Sequence, residues 1–248
     1  MRFEDKVALV TGGASGFGAE IARMFAREGA DVAIADLNEH GAQSVGAEIG
    51  NSALAVQCDV SVAADVSRAV EATRSRFGRV DIVVNNAGVA SATPVDEISL
   101  QYWNEVLAVN LTGPFLMSRE AVKVMKAQSP QGGRIINIGS VSQKTPRPDS
   151  MAYTATKHAL QGMTHQLTMD GRKYGVVASI IHPGATLSSF TARRGRTAPG
   201  PGETPADYVM AAEDVARVAV LMCGLPAEVN LYEATILPNN MRSFIGRG

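Results

Sequence analysis

Tyr153 and Lys157 lie four positions apart in the segment "AYTATKHAL", which otherwise has the composition of a helix. On a helix, residues i and i+4 lie one above the other on the same face, so the phenol and the ammonium come within mutual reach. A phenol with a pKa of about 10 is a poor base at neutral pH, but a neighbouring cation favours the phenolate. The pair could therefore exchange a proton with a bound molecule. A surface Tyr–Lys pair without a function has the same spacing, so the spacing alone leaves both interpretations open.

Seven short apolar segments are predicted as the β-strands that position this pair: 6–12, 31–36, 53–59, 80–86, 133–139, 176–182 and 230–238. Most are nearly continuous apolar runs, which is typical of strands covered on both faces of a parallel sheet. Helical patterns lie between them, near 16–28, 38–49, 62–77, 99–127, 150–174 and 212–224. This alternation predicts right-handed crossovers and an α/β fold with a doubly wound parallel sheet of about seven strands and helices on both faces.

The chain length fits a single domain. With 248 residues, of which 46% are apolar, residues 1–248 can form one sizeable core, and no second domain is needed. Residues 185–211 are rich in Pro, Gly and Arg and match neither a helix nor a strand. Because this segment lies between the sixth strand and the last helix, we interpret it as a loop that forms a substrate lid.

Composition and charge exclude several classes of function. The formal net charge is −1 and the basic residues are scattered, so neither a nucleic acid nor a membrane is an expected partner. No apolar stretch is long enough to span a bilayer, and the N-terminus enters a strand-like segment directly, which predicts a cytoplasmic protein without a signal peptide. Cys58 and Cys223 are far apart and the four histidines lack ligand spacing, so free thiols and no metal site are expected.

A glycine-rich turn, "TGGASGFG" at 11–18, connects the first predicted strand to the first predicted helix. Glycines let the backbone turn tightly and approach a pyrophosphate, and the free N–H groups at the start of the helix add donors. A tight turn without a ligand could use the same glycines. The position between a strand and a helix nevertheless favours nucleotide binding and a Rossmann-type sheet.

Asp36 ends the second predicted strand, 18 residues after Gly18. A carboxylate at this position can accept hydrogen bonds from both ribose hydroxyls, and its charge would repel a 2′-phosphate, which predicts NAD rather than NADP. Neither Ser15 nor Leu37 would supply a compensating positive charge. Asp36 could instead, or in addition, cap the second helix. Asp59, with Val60 beside it, is placed to line the adenine pocket, although it could equally be an ordinary carboxylate at a strand end.

The motifs "TGGASGFG", "NNAG" (85–88), Asn110, Ser140 and "YTATK" (153–157) follow one another in an order and spacing that resemble the short-chain dehydrogenase/reductase family. The resemblance covers nearly the whole chain and includes Ser140 thirteen residues before Tyr153. It implies an oxidoreductase that transfers a hydride between NAD(H) and a secondary alcohol or ketone.

The resemblance assigns catalytic roles to Asn110, Ser140, Tyr153 and Lys157. Tyr153 would accept the hydroxyl proton during oxidation and donate it during reduction, with Lys157 favouring the phenolate. Ser140 would hydrogen-bond the substrate oxygen; Ser142 is a competing hydroxyl, but the spacing favours Ser140. In the family, an Asn at position 110 holds a water that links the lysine to solvent. It could instead satisfy backbone groups freed by a kink near the following proline.

The motifs and the resemblance together imply a set of residues around the cofactor. Lys157 would also hold the nicotinamide ribose, and Pro183 would lie beside the nicotinamide, with backbone groups of Ala185 and Thr186 facing its carboxamide. The full set is Gly12, Ser15, Gly16, Phe17, Gly18, Asp36, Leu37, Asp59, Val60, Asn86, Ala87, Gly88, Tyr153, Lys157, Pro183, Gly184 and Thr186.

The substrate is expected to be small and polar, with an anionic group as one option. Its candidate contacts are Ser140, Tyr153, Arg147 and Arg193, because guanidinium groups suit anionic groups, although these arginines could simply be solvated loop charges. An NADPH-dependent 3-oxoacyl or other carbonyl reductase is an alternative that Asp36 disfavours. A non-catalytic NAD-binding sensor is a second alternative, which the complete catalytic set disfavours.

The chain departs from the family pattern at several positions. Phe17 replaces a smaller aliphatic residue, Gly139 replaces a frequent Ser, and Ser188 stands where Thr is usual. The tail "NLYEATILPNNMRSFIGRG" lacks the usual Thr-Gly and Asp-Gly-Gly pattern. The family implies a homotetramer or dimer that uses the helices near 99–127 and 150–174, but the changed tail puts the second interface of a tetramer in doubt.

Overall fold

The computed structural model describes residues 2–90, 92–186, 209–239 and 241. The strands are β1 (Val7–Thr11), β2 (Asp31–Asp36), β3 (Ala53–Gln57), β4 (Ile82–Asn85), β5 (Gly133–Ile138), β6 (Val176–Pro183) and β7 (Glu233–Ile236). The helices are α1 (Gly16–Arg27), α2 (Glu39–Ile49), α3 (Ala63–Phe77), α4 (Leu100–Leu107), α5 (Gly113–Ala127), α6 (Met151–Gly171) and α7 (Ala212–Cys223).

All seven strands pair in parallel in one sheet with the order β3-β2-β1-β4-β5-β6-β7. This confirms the predicted Rossmann-type, doubly wound sheet, whose strands begin and end within three residues of the predicted bounds. The order reverses between β1 and β4, and ligands of such sheets bind in the crevice at the carboxyl ends of the strands beside this point.

Two apolar clusters cover the two faces of the sheet, because successive side chains of a strand point to opposite faces. On one face, Val10 of β1 and Ile34 of β2 pack with α1, α2 and α7. On the other face, Leu9 and Ala33 pack with α3 and α5. All five residues of β1 are buried, which explains why its sequence is a continuous apolar run rather than an alternating one.

The segment predicted as one helix near 99–127 is divided. A π-helical turn, Ala108–Thr112, separates α4 from α5, and the buried Asn110 lies in it. The amide of Asn110 pairs with the backbone of Val89, donating to its carbonyl and accepting from its N–H, both at 2.8 Å. Pro114 lies two residues after this turn and, as a proline, offers no N–H to the preceding helical turn. The interruption is thus a π turn placed just before the proline.

The predicted lid, 185–211, falls mostly on residues 187–208, which lie outside the described residues. Its two ends are held together: Thr186 and Met210 form a parallel bridge, and the N–H of Met210 donates to the carbonyl of Ala185 at 3.0 Å. Within the described part of the chain, we find no helix that is long and apolar enough to cross a membrane.

Candidate active site

A cavity of about 410 Å³ opens at the carboxyl ends of the central strands. It brings together residues that the sequence had placed on seven separate segments. Gly18 and Asn110 are not among its lining residues, and Arg193 lies outside the described residues. The other predicted site residues all line it: Gly12, Ser15, Gly16, Phe17, Asp36, Leu37, Asp59, Val60, Asn86, Ala87, Gly88, Ser140, Arg147, Tyr153, Lys157, Pro183, Gly184 and Thr186.

The glycine turn has no room for side chains. Gly12 and Gly16 have positive φ values of 64° and 56°, which L-residues rarely adopt. A Cβ on Gly12 would lie 2.8 Å from Nδ2 of Asn86, and a Cβ on Gly18 would collide with the carbonyl oxygen of Gly12. Asn86 secures the turn by donating to the carbonyls of Thr11 (2.9 Å) and Gly12 (3.0 Å). The main chain and the start of α1 can therefore approach a ligand closely.

Asp36 fastens the end of β2 to the glycine turn. Its Oδ2 accepts from the N–H of Ala14 at 2.9 Å, and its Oδ1 accepts from the N–H of Asn38 at 2.8 Å. The cap of α2 is Asn38, whose side chain accepts from the N–H of Gly41 at 3.1 Å. The prediction that Asp36 could cap this helix is therefore wrong, because the cap residue, Asn38, lies two residues later. Its carboxylate lies in the cavity wall beside the largely exposed Leu37.

Asp59 both lines the cavity and closes a local turn. Its Oδ1 accepts from the N–H and the hydroxyl of Ser61 at 2.9 and 2.6 Å. The preceding Cys58 also lines the cavity, which the sequence did not predict. Burial, with a smaller contribution from the charge of Asp65, raises the pKa of the Cys58 thiol to about 11. The thiol therefore stays protonated and forms an unreactive part of the wall.

The Tyr153–Lys157 pair lies in the first two turns of α6. Nζ of Lys157 lies 5.4 Å from the centre of the Tyr153 ring and donates to the carbonyl of Ile138 at 2.6 Å. Lys157 is buried, and this burial lowers its pKa to about 8. A lysine with this pKa can lose or regain its proton near neutral pH, which suits proton transfer.

Asn110 lies behind the cavity and connects α4 and α5 to α6. Besides its two bonds to Val89, its Nδ2 lies 3.4 Å from Oγ1 of Thr156, whose hydroxyl donates to the carbonyl of Tyr153 at 2.8 Å. The amide thus satisfies backbone groups, but those of a neighbouring loop rather than those of a kinked helix. The water link between this asparagine and the lysine stays a prediction.

Ser140 follows β5 and caps a short 3₁₀ turn, Val141–Gln143. Its Oγ accepts from the N–H of Ser142 at 3.1 Å. Its backbone N–H and carbonyl lie 3.2 and 3.1 Å from Nδ1 of His182. Both serines line the cavity, so the preference for Ser140 over Ser142 still depends on its spacing from Tyr153.

Further lining residues escaped the sequence prediction, namely Cys58, Val89, Val109, Ile138, Gly139 and Ser150. Ile138 is the last residue of β5, and Cys58 directly follows β3. Because ligands bind at the carboxyl ends of the strands, the position of these two residues in the sequence could have identified them. Among the residues that the structure describes, no group of three or more His, Cys, Asp or Glu side chains could hold a metal ion.

Known proteins share this sequence pattern. Residues 6–198 match the family model described as short chain dehydrogenase. The chain is 41% identical over 192 residues to D-threitol dehydrogenase of Mycolicibacterium smegmatis, covering 76% of this chain and 73% of that protein. It is 36% identical over 233 residues to momilactone A synthase of Oryza sativa subsp. japonica, covering 88% of this chain and 82% of that protein.

A solved structure has the same architecture. The crystal structure of 3-ketoacyl-(acyl-carrier-protein) reductase from Brucella melitensis complexed with NADH aligns with a TM-score of 0.87 at 31% identity, covering 96% of this chain and 99% of that chain. The family match includes the glycine turn, Asn110, Ser140, Tyr153 and Lys157. Motifs, fold and relatives agree, and the chain belongs to the short-chain dehydrogenase/reductase family of oxidoreductases.

Proposed function

We propose that this protein transfers a hydride between NAD(H) and a secondary alcohol or ketone of a small polar substrate. The observation that carries the proposal is that one cavity is lined both by the carboxylate of Asp36 and by the Tyr153–Lys157 pair. The first group suits a ribose with free hydroxyls, and the second suits proton transfer to or from an alcohol oxygen.

A dinucleotide fits the residues at the glycine turn. The absence of side chains at Gly12 and Gly18 leaves main-chain N–H groups and the start of α1 to face a pyrophosphate. The carboxylate of Asp36 is held in place by two backbone N–H donors, and each oxygen retains a lone pair for a ribose hydroxyl. Neither Ser15 nor Leu37 brings a positive charge to offset Asp36, so we assign NAD rather than NADP.

The remaining roles follow from the same cavity. When bound, the nicotinamide supplies the hydride acceptor or donor. Tyr153 takes the proton of the substrate hydroxyl during oxidation and returns it during reduction, and the protonated form of the neighbouring Lys157 stabilises its phenolate. Oγ of Ser140 accepts from Ser142, so its own hydrogen can donate to the substrate oxygen and orient it.

For the substrate we propose a small polyhydroxylated compound. The similarity to an enzyme that is named a D-threitol dehydrogenase supports this class. Arg147 lines the cavity and adds a positive charge that would favour an anionic group on the substrate. Arg147→Glu should therefore lower kcat/KM for hydroxy acids more than for neutral polyols, while Arg27→Glu, at the exposed end of α1, should leave that ratio unchanged. An equal effect of both variants would contradict a role for Arg147.

Reduction of 3-oxoacyl thioesters is the second candidate, since the solved structure with the same architecture is a 3-ketoacyl reductase that holds NADH. A third candidate is a sensor that binds NAD without turnover. The complete set of Asn110, Ser140, Tyr153 and Lys157 disfavours it, because a sensor does not need these residues together.

The test is a spectrophotometric measurement of reduced nicotinamide with NAD and NADP in parallel. The oxidation panel contains tetritols, other polyols, secondary alcohols and hydroxy acids; NADH and NADPH are offered with an acetoacetyl thioester. We expect turnover with NAD and a polyol. Turnover confined to the thioester and NADPH would replace the proposal by the reductase, and tight NAD binding with no turnover would favour the sensor.

We further propose that the protein is a homo-oligomer whose contact face is formed by α5 and α6. A second cavity of about 690 Å³ lies along these helices, lined in part by Phe115, Met163 and Leu167. Phe115 and Met169 on this face are 50% and 62% exposed. Exposed apolar side chains that form a contiguous patch often mark a protein–protein contact. Light scattering should show a dimer or tetramer, and Phe115→Glu should lower the mass; a monomeric wild type would contradict the proposal.

A further inference from the structure

A fully buried histidine, His182, lies directly behind Ser140. It is the penultimate residue of β6, and its Nδ1 lies 3.2 Å from the N–H nitrogen and 3.1 Å from the carbonyl oxygen of Ser140. The ring occupies space beside Gly139, where a Cβ would lie 2.5 Å from Nδ1. Glycine is therefore required at position 139 in this chain, although the family pattern often has Ser there.

The far side of the imidazole enters a polar network. Nε2 of His182 lies 2.9 Å from Oε1 of Gln161 in α6. Nε2 of Gln161 donates to the hydroxyl of Tyr232 at 3.1 Å and to Oε2 of Glu233 at 3.2 Å. Oε1 of Glu233 forms an ion pair with Nζ of Lys144 at 2.7 Å. The network thus joins α6, the start of β7 and the turn after Ser140.

The network fixes the position of the hydrogen on His182. A carboxylate only accepts hydrogen bonds, so Gln161 must turn its NH₂ group toward Glu233 and its oxygen toward His182. That oxygen requires a hydrogen on Nε2 of the imidazole, which leaves Nδ1 with a lone pair. The lone pair accepts the backbone N–H of Ser140.

We propose that His182 is a positioning residue for Ser140: in its neutral form, with the hydrogen on Nε2, it holds the backbone of Ser140 so that the Oγ faces the cavity. This proposal rests on the proposed role of Ser140 in orienting the substrate oxygen. The proposal also gives two departures from the family pattern a common explanation. Gly139 makes room for the imidazole ring, and the unusual tail supplies Tyr232 and Glu233.

Protonation of His182 should disturb this arrangement. A second hydrogen, on Nδ1, would face the N–H of Ser140 and would be drawn to its carbonyl instead. Burial lowers the pKa of His182 below its usual 6.5; Glu233 of β7 and the hydrogen bond to the backbone of Ser140 oppose this shift, whereas Lys144 of the turn and Lys157 of α6 add to it. The positioned form therefore persists at neutral pH and is lost only as the pH falls through this lowered pKa.

The test compares two variants with the wild type. His182→Leu fills space but cannot accept a hydrogen bond, whereas the side-chain oxygen of His182→Asn can accept the N–H of Ser140. We expect His182→Leu to lower kcat about ten- to a hundredfold, as losses of supporting hydrogen bonds do. NAD affinity should stay within about twofold, since the ring lies behind Ser140 and contacts none of the glycine turn. His182→Asn should recover most of kcat and lack the acid limb that His182 causes in the wild type.

Two further measurements separate the possible failures. Nitrogen NMR of the imidazole at neutral pH should show the hydrogen on Nε2; a hydrogen on Nδ1 would contradict the proposal independently of activity. Ser140→Ala is assayed in parallel: turnover that survives it would overturn the role of Ser140 itself. If Ser140→Ala is inactive but His182→Leu retains the kcat of the wild type, or if His182→Asn is as impaired as His182→Leu, only the positioning role is wrong.

Discussion

The two sides of the cavity are built by different means. On the glycine-turn side, at the ends of β1, β2 and β4, the shape comes from absent side chains, since Gly12 and Gly18 lie against backbone and Asn86. On the serine side, at the ends of β5 and β6, buried polar side chains such as Lys157 and His182 form the wall and the layer behind it. Substitutions that add atoms should therefore impair the glycine-turn side. Substitutions that change a chemical group without changing its volume should impair the serine side.

The largest effect is expected from Tyr153→Phe, which removes one oxygen from the serine side. Because the phenol is the proposed acid and base, kcat should fall about 10³-fold, within the usual range for such groups. NAD affinity should fall far less than kcat, since the glycine turn is untouched and only one of the predicted cofactor contacts is removed. Reduced-nicotinamide absorbance measures the first quantity and fluorescence titration the second. Tyr174→Phe, beside the second cavity, is the matched control. If Tyr153→Phe turned over as fast as this control, Tyr153 would not be the acid and base of the serine side.

Lys157 should produce the next largest effect, which can be measured as a change in stability. Its pKa is lowered to about 8 from 10.5, so between these pH values the unfolded chain binds a proton that the folded chain has released. The free energy of unfolding should therefore rise with pH across this window, by roughly 3 kcal/mol relative to Lys157→Met. Urea unfolding of both proteins without cofactor measures the difference. A constant difference from pH 8 to pH 10.5 would show that burial does not shift this lysine.

Gly18→Ala tests the glycine-turn side with a single added methyl group. Its Cβ would lie 2.6 Å from Nδ2 of Asn86 and closer still to the carbonyl of Gly12, so the turn must deform. We expect a loss of about 1–3 kcal/mol in stability and a weaker affinity for NAD. Gly162→Ala is the control, because no atom lies within 4 Å of its added Cβ, and it should be neutral or slightly stabilising. If the two variants had the same melting temperature and the same NAD affinity, the close packing around Gly18 would not determine the shape of the glycine turn.

The contrast also explains what the sequence could predict. The strands, and the glycine turn with its positive-φ glycines, are specified by local patterns of apolar residues and glycine, so both can be predicted from the amino-acid sequence alone. The residues behind Ser140 were not predicted, because His182, Gln161 and Glu233 meet only through pairing of β6 with β7 and packing of α6. No local pattern reports such contacts.

The interruption between α4 and α5 is an intermediate case. Proline suggested a kink, whereas the structure has a π turn whose Asn110 pairs with Val89, a contact between residues 21 positions apart. The same applies to Asp36. Its position at the end of a strand could be predicted from the sequence, whereas its hydrogen bond to Ala14 forms only in the folded turn. Local signals thus located these polar residues, and tertiary contacts determined what their side chains do.

Asp36→Asn should have the smallest effect and separates charge from shape on the glycine-turn side. It removes the negative charge that would repel a 2′-phosphate while keeping nearly the same volume. The ratio of kcat/KM for NADP to that for NAD should rise about tenfold, equivalent to about 1.4 kcal/mol. The ratio cancels any loss common to both cofactors, such as a loosened bond to Ala14. Asp31→Asn, at the opposite end of β2, is the control and should leave the ratio unchanged. A ratio that stays constant in both variants would mean that shape alone selects the cofactor, and that the carboxylate of Asp36 acts only as a structural group.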